Sequence, residues 1–499
     1  MEAMKSYRTG RALLVGLLVL AACSSSPGST AQDQQPATTS STTTTASSTT
    51  TTTAVATSTT PNTSGPSPAT EEPLTVLIGF RDQEALLVEE LIERTEDEFT
   101  RTTGVTVNVV VIEDVMLDCN FGCQPVDGNV LSGEEFIDTS TVYDAMLLDG
   151  FTASTLRGRT ANLAEFMEAD VDYAVESVLE NVLASVTFGS EIVAAPFAAN
   201  SSTLMVNEAL FDEVGVEVPS NLTWDEVAEV AQEFAANEAA GICMRATPGW
   251  DELAAPLTTI ANEFGGAWWT ASEGVVEPGA APAIGDARIN QTDSGFRDAT
   301  EFVVGVLASA GPSDVTSFGF QECLNAFESG GVAMWFGSTH AVGFLELSES
   351  PQGSRGQYLP TPSLTNDRVA SGWLDILGFV ITGPPETRDR AWEFVSWATS
   401  EEYGDASNRT SSAPLSTREP PLDLDPISRG IIDSVRNARF EEPNAIPQPG
   451  YGGVHYVGVP VFQETANVCT SLFAQVIDGQ ATLSSALDQC QTVAADFTQ

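Results

Sequence analysis

Histidine is nearly absent from this chain: there are two, His340 and His455, in 499 residues. Neither sits in the spaced His/Cys/Asp/Glu pattern of a metal site, so no metal centre and no cofactor is expected. Both read as structural or surface residues. The nucleophile elbow GxSxG is missing, as are a Walker A loop and a GxGxxG after a strand. That removes the commonest sequence signatures of hydrolases, NTPases and dinucleotide enzymes. Carboxylate pairs are no guide, because 69 Asp and Glu make chance pairs unavoidable and nothing singles out two of them. Basic residues are scarce, 20 against those 69, for a net charge of −49. Nucleic acid needs a Lys/Arg surface for its phosphates, and adsorption to anionic lipid needs one too. Both are excluded, and a solvated acidic surface is the expectation that remains. After Ala22 no run is long and apolar enough for a transmembrane helix.

What is present begins with an export signal. Lys5, Arg8 and Arg11 precede an apolar run from Ala12 to Ala22. That run has the length of a signal-peptide core. It ends in Leu20-Ala21-Ala22-Cys23, which resembles a bacterial lipobox. Cleavage before Cys23 and acylation of that residue would anchor the chain, each buried methylene adding about 0.8 kcal/mol. Residues 1–22 are thus read as signal peptide. Residues 23–72 are read as the lipidated Cys followed by a Ser/Thr-rich tether, whose composition cannot offset the entropy of ordering it. The membrane is reached only through the lipid, and the folded part lies on the outer face of the cell membrane or in the periplasm.

The folded part runs from about Pro73 to Gln499, long enough for two cores. Setting Cys23 aside leaves six cysteines, an even number that suggests disulfides in an exported protein. Proximity pairs Cys119 with Cys123, Cys243 with Cys323, and Cys469 with Cys490.

Periodicity gives an α/β chain. Leu74–Ile78 and Val105–Ile112 read as strands around a helix that Asp82 caps and Gly104 ends, a βαβ unit with parallel pairing. Val142–Leu148 is a third strand, ending at Asp149. Ile192–Asn207 reads as one extended crossing. Thr223 and Glu226 have capping-box spacing before a helix. Phe320–Glu328 reads as a helix, Val332–Phe336 as a strand and Thr387–Thr399 as a helix. Ala466–Phe497 reads as two helices broken near Gly479. Such an alternation, interrupted by extended crossings, suits two α/β lobes joined by hinges, with a cleft between them. Of eight tryptophans, Trp250, Trp268, Trp269, Trp335 and Trp373 lie near Gly or Pro. Sugars and polyols stack CH patches on such rings, and their hydroxyls need Asp, Asn and Arg partners.

Several segments resemble family-1 extracellular solute-binding proteins, close to their sorbitol/mannitol branch. Pro196-Phe-Ala-Ala-Asn-Ser-Ser202 with Asn207–Gly215 looks like the first hinge and the helix after it. Arg245-Ala-Thr-Pro-Gly-Trp250 is similar to an RGxPGW loop, and Ala333-Met-Trp335-Phe-Gly-Ser-Thr339 to an AMWxDxT segment. Gly372-Trp373 resembles the second hinge, Ala413–Arg418 a PxxTR turn, and Val454–Gln463 a late crossing. The resemblance implies a type II periplasmic-binding fold that is not an enzyme. Lobe I would hold residues 73–198 and 376–448, and lobe II residues 199–375 and 449–499. A monomer would deliver one small neutral sugar or polyol to the permease of an ABC importer. Arg245 would donate to ligand hydroxyls, Trp250, Trp335 and Trp373 would stack, and Asn200, Asp149 and Asp375 would hydrogen-bond. Three departures bear on the ligand: Ala198-Ala199-Asn200 stands for Tyr-Gly-Glu, Gly337 for Asp, and Leu374-Asp375-Ile376 for an aromatic-rich run. A peptide or polyamine ligand on the same fold, and a cell-surface carbohydrate-active enzyme, are the alternatives.

Overall fold

The computed structural model describes residues 72–80, 84–113, 142–218, 222–237, 239–266, 268–271, 287–289, 294–347, 356–365, 372–410, 415–421, 423–424, 426–438 and 462–497. Cys23, Asp82, Cys119, Cys123 and His455 lie outside them.

Nine strands make the two main sheets: β1 (Leu74–Phe80), β2 (Val107–Glu113), β3 (Ala145–Asp149), β4 (Ala195–Asn200), β5 (Ser202–Asn207), β6 (Ala240–Met244), β7 (Val332–Ser338), β8 (Gly356–Leu359) and β9 (Asp375–Ile381). The first sheet has the order β2-β1-β3-β9-β4 and the second β8-β5-β7-β6. β1 is parallel to both β2 and β3. Six of its seven residues are buried, as a strand covered on both faces requires. β9 runs antiparallel between β3 and β4, with Leu377 opposite Asp149 and Asp375 opposite Asn200.

The expected strand from Val142 begins later, at Ala145. Val142 is 68% exposed. The Asp144 side chain takes the Thr75 N–H at 2.8 Å, in place of a strand carbonyl. The stretch 192–207 also differs from a single crossing. It is two strands in two sheets, with Ser201 alone between β4 and β5. The chain leaves the first sheet at Asn200, enters the second at Ser202, and returns to the first at Asp375. This is the two-lobed α/β architecture.

Local signals act where the sequence places them. Thr223 and Glu226 close a reciprocal cap on the helix Trp224–Ala236, whose Trp224, Val227, Ala231 and Phe234 face the core. Gly104 (φ 76°) ends the first helical segment in the left-handed conformation that glycine adopts freely.

Each sheet is covered on both faces. In the first lobe, β1, β3 and β9 send Ile78, Leu147 and Phe379 to one side and Leu77, Met146 and Val380 to the other. In the second, β7 sends Met334 and Phe336 to a core shared with the C-terminal helices Phe462–Ile477 and Leu483–Phe497. Trp335 points to the opposite core. Cys243 is bonded to Cys323 and Cys469 to Cys490, with Cα separations of 5.7 and 4.9 Å. These are two of the three pairs that proximity suggested.

Candidate functional site

The end of β4, the end of β7 and the start of β9 meet where the chain changes sheets. Asn200 is the junction. Its Oδ1 accepts from Trp373 Nε1 at 2.9 Å and from Ser338 Oγ at 3.1 Å. Its Nδ2 donates to Asp375 Oδ2 at 3.2 Å. All four residues are buried. Trp373 packs edge-on to Phe336, ring centroids 5.6 Å apart.

Arg245 follows β6 directly. Its guanidinium lies over the Trp373 ring, 5.1 Å from the centroid. It is 6% exposed. Among the described residues it makes no salt bridge and no hydrogen bond. In a chain with 69 acidic residues, a buried guanidinium without a carboxylate needs a reason. Its nitrogens keep a little access to solvent and are bonded to no described residue, so they stand open to an acceptor. A ligand bearing acceptor oxygens would satisfy them.

The crossings touch each other. Thr339 N donates to Ser201 O at 2.8 Å, and Ser201 N to Thr339 Oγ1 at 3.1 Å. Ser202 and Thr361 hydroxyls are 2.7 Å apart. Gly372 passes so close that a Cβ would lie 2.2 Å from Ser201 Oγ. His340 is buried here, its backbone N–H bonded to Ser338 Oγ.

The structure therefore brings Arg245, Trp373, Asn200 and Asp375 together. Asp149 stands at the same end of the first sheet, opposite Leu377 of β9. Its Oδ1 accepts from Thr152 N at 3.0 Å and so caps the short helix Gly150–Thr155. Trp250 is 6% exposed in the second lobe's larger core. Its loop is tied to the C-terminal helix by Trp250 N to Asn467 Oδ1, 2.9 Å, and Gly249 N to Thr470 Oγ1, 3.0 Å. Trp335 does not join the group. It is fully buried on the other face of its sheet, 5.6 Å from Phe320 and 6.2 Å from Phe327. Strand alternation decides this, because Trp335 and Phe336 must face opposite ways and Phe336 is the one against Trp373. Gly337 belongs with Trp335: a Cβ there would sit 2.6 Å from the indole Nε1, so the side chain that the resemblance leads one to expect has no room.

Sequence reasoning missed Ser338, Ser201, Ser202, Thr339 and Thr361. The only signal was a cluster of hydroxyl residues at strand ends, which is also common in turns.

Comparison with known proteins adds the family. The profile described as bacterial extracellular solute-binding protein matches residues 84–405. A mannitol-binding protein of Pseudomonas aeruginosa is 28% identical over 359 residues, 69% of this chain and 78% of that one. The crystal structure of an ABC transporter solute-binding protein from Agrobacterium vitis S4 with bound D-mannitol superposes with a TM-score of 0.66 at 25% identity, covering 85% of this chain and 97% of that one. A ribitol complex from Agrobacterium radiobacter K84 has the same fold, with a TM-score of 0.66 at 18% identity over 85% of this chain and all of that one. The chain belongs to the bacterial extracellular solute-binding proteins.

Proposed function

We propose that this chain captures a sugar or polyol between its lobes and delivers it to the permease of an ABC importer, without catalysing a reaction. The carrying observation is Arg245: buried, stacked on Trp373, and with no carboxylate or hydrogen-bond partner among the described residues. Its fork of donors would face ligand hydroxyls while Trp373 supports it and Asp375 accepts nearby. Relatives named for mannitol or holding it support the ligand class. Lobe I would comprise residues 73–198 and 376–448, and lobe II residues 199–375 and 449–499. Acylated Cys23 would hold the protein at the outer face of the membrane through the Ser/Thr-rich tether. Closure draws its free energy from contacts that the ligand makes better in the closed state.

A thermal-shift series with D-mannitol, other polyols, sugars, polyamines and peptides tests this. A ligand that binds only the folded chain adds about 2.7 kcal/mol at a hundredfold excess over its Kd. A shift with a polyol or sugar is expected. Shifts only with polyamines or peptides would replace the ligand class, and no shift would overturn the reading. In calorimetric titration with the same ligand, Arg245→Ala should lose about tenfold to a hundredfold in affinity, the size of a hydrogen bond to a charged group. Unchanged affinity would remove Arg245 from the site.

A further inference from the structure

Asn200 uses its amide in a way that a ligand contact would not leave free. An amide oxygen accepts at two positions, and here Trp373 Nε1 and Ser338 Oγ fill both. One N–H is committed to Asp375. The two donors come from the second-lobe side: Ser338 ends β7, and Trp373 lies in that lobe's core. The acceptor, Asp375, starts β9 of the first sheet directly opposite Asn200. One side chain thus accepts from the second-sheet side and donates to a residue of the first sheet, two residues before the second sheet begins.

We infer that Asn200 is a positioning residue, a strut across the crossing that fixes the Trp373 ring under Arg245 and sets how readily the lobes move, and not a contact to ligand. The role demands an acceptor and a donor on one planar group. Glutamate at this position, which the resemblance leads one to expect, would place a second carboxylate beside Asp375. The charged groups facing the strut are Asp375 on one side and Arg245 across Trp373, and His340 lies two residues beyond Ser338. The consequence for binding rests on the reading of the protein as a two-lobed binding protein; the strut itself does not.

Asn200→Asp supplies the test, because it keeps the shape and removes the donor. At pH 7.5 two carboxylates would face each other and repel. A proton shared by the pair at pH 5 restores one O–H donor and the accepting oxygen. Hydrogen–deuterium exchange on the ligand-free full chain, each pH compared with wild type at that pH, should find the Ser201 and Thr339 amides exchanging at least tenfold faster in the variant at pH 7.5. They should return to wild-type protection at pH 5. Asn200→Ala should lose protection at both. Wild-type protection in folded Asn200→Asp at pH 7.5 overturns the strut, as does a loss that pH 5 does not reverse. If Asn200→Asp fails to fold, Ser338→Ala deletes one donor to Asn200 together with the acceptor of the His340 N–H. It should give a smaller loss at both pH values, and no loss would overturn the inference. A parallel titration with D-mannitol should follow the same pH pattern in Asn200→Asp. Wild type failing to bind any polyol or sugar would sink the ligand reading and leave the exchange result to decide the strut.

Discussion

The two lobes share an α/β plan and are held together differently. The second lobe carries both disulfides seen among the described residues, one tying β6 to the helix Phe320–Glu328 and one joining the two C-terminal helices. The first has none there. Its centre is a cluster of rings in which Phe394 lies 5.3 Å from Phe99 and 5.6 Å from Phe379, Trp397 lies 5.1 Å from Tyr403, and Arg94 covers Tyr403 at 3.8 Å. The contrast teaches where each lobe spends its specificity. A four-stranded sheet under long helices is stapled covalently. A five-stranded sheet buried on both faces is held by ring geometry and apolar area.

Breaking the staples should separate the lobes. Replacing Cys243 and Cys323 by serine opens a loop of 80 residues, which costs about 4.5 kcal/mol in the chain-entropy model. The Cys469–Cys490 loop spans 21 residues, for about 3 kcal/mol. Calorimetry of either variant should resolve a low-temperature transition for the second lobe while the first keeps its own. A single transition that moves as a whole would mean the lobes unfold as one unit.

The glycines give a sharper contrast. In β6 a Cβ at Gly241 would lie 2.1 Å from the Ala231 carbonyl oxygen, so the helix Trp224–Ala236 rests on bare backbone. In β9 a Cβ at Gly378 would meet Ala194 at 3.0 Å, beside a register shift that can absorb strain. Gly241→Ala should cost about 3 kcal/mol, and Gly378→Ala nearer ~1 kcal/mol, in denaturant titrations. Equal costs would deny that the two packings differ.

Alkali should attack the first lobe. Burial pushes the Tyr403 phenol well above its ordinary value, and Glu90 adds to this. Burial likewise raises Tyr173, against the pull of Arg418. A group whose pKa is higher when folded adds stability that is complete below its unfolded value, about 10 for tyrosine, and lost as pH rises through the folded one. Tyr403 Oη has no partner among the described residues. Tyr403→Phe should therefore change little at pH 7 and hold its Tm further into alkali than wild type. A parallel fall of both curves would exclude Tyr403 as the weak point.

The smallest effect belongs to Asp405, raised by burial first and by Glu401 second. By the same sign, its contribution is present at low pH and lost as pH rises through the carboxylate range. Asp405→Asn should flatten that part of the first lobe's pH profile slightly. An unchanged slope would exclude this carboxyl as its source.

Much of the fold was legible because it rests on local rules. The β1 run, the Thr223/Glu226 cap and the Gly104 stop each act within a few residues. Arg245, Trp373, Asn200 and Asp375 lie side by side in the fold, although they are far apart in the sequence. What stayed hidden depends on direction. Nothing local says that Trp335 points away while Phe336 points toward Trp373, since both positions are apolar. Nor does anything in 192–207 announce that one serine separates two sheets. That is fixed by which distant strands pair with each half.

The position of β9 has a consequence for the order of assembly. It lies between β3 and β4 in space but follows the whole second sheet in sequence. Until residues 375–381 are available, the first sheet is two fragments, β2-β1-β3 and a lone β4, with no strand between them. The second sheet is complete by Leu359. A chain emerging from its N-terminus therefore finishes the later lobe's sheet before the earlier one's, and the lobe that begins the protein is the one that must wait.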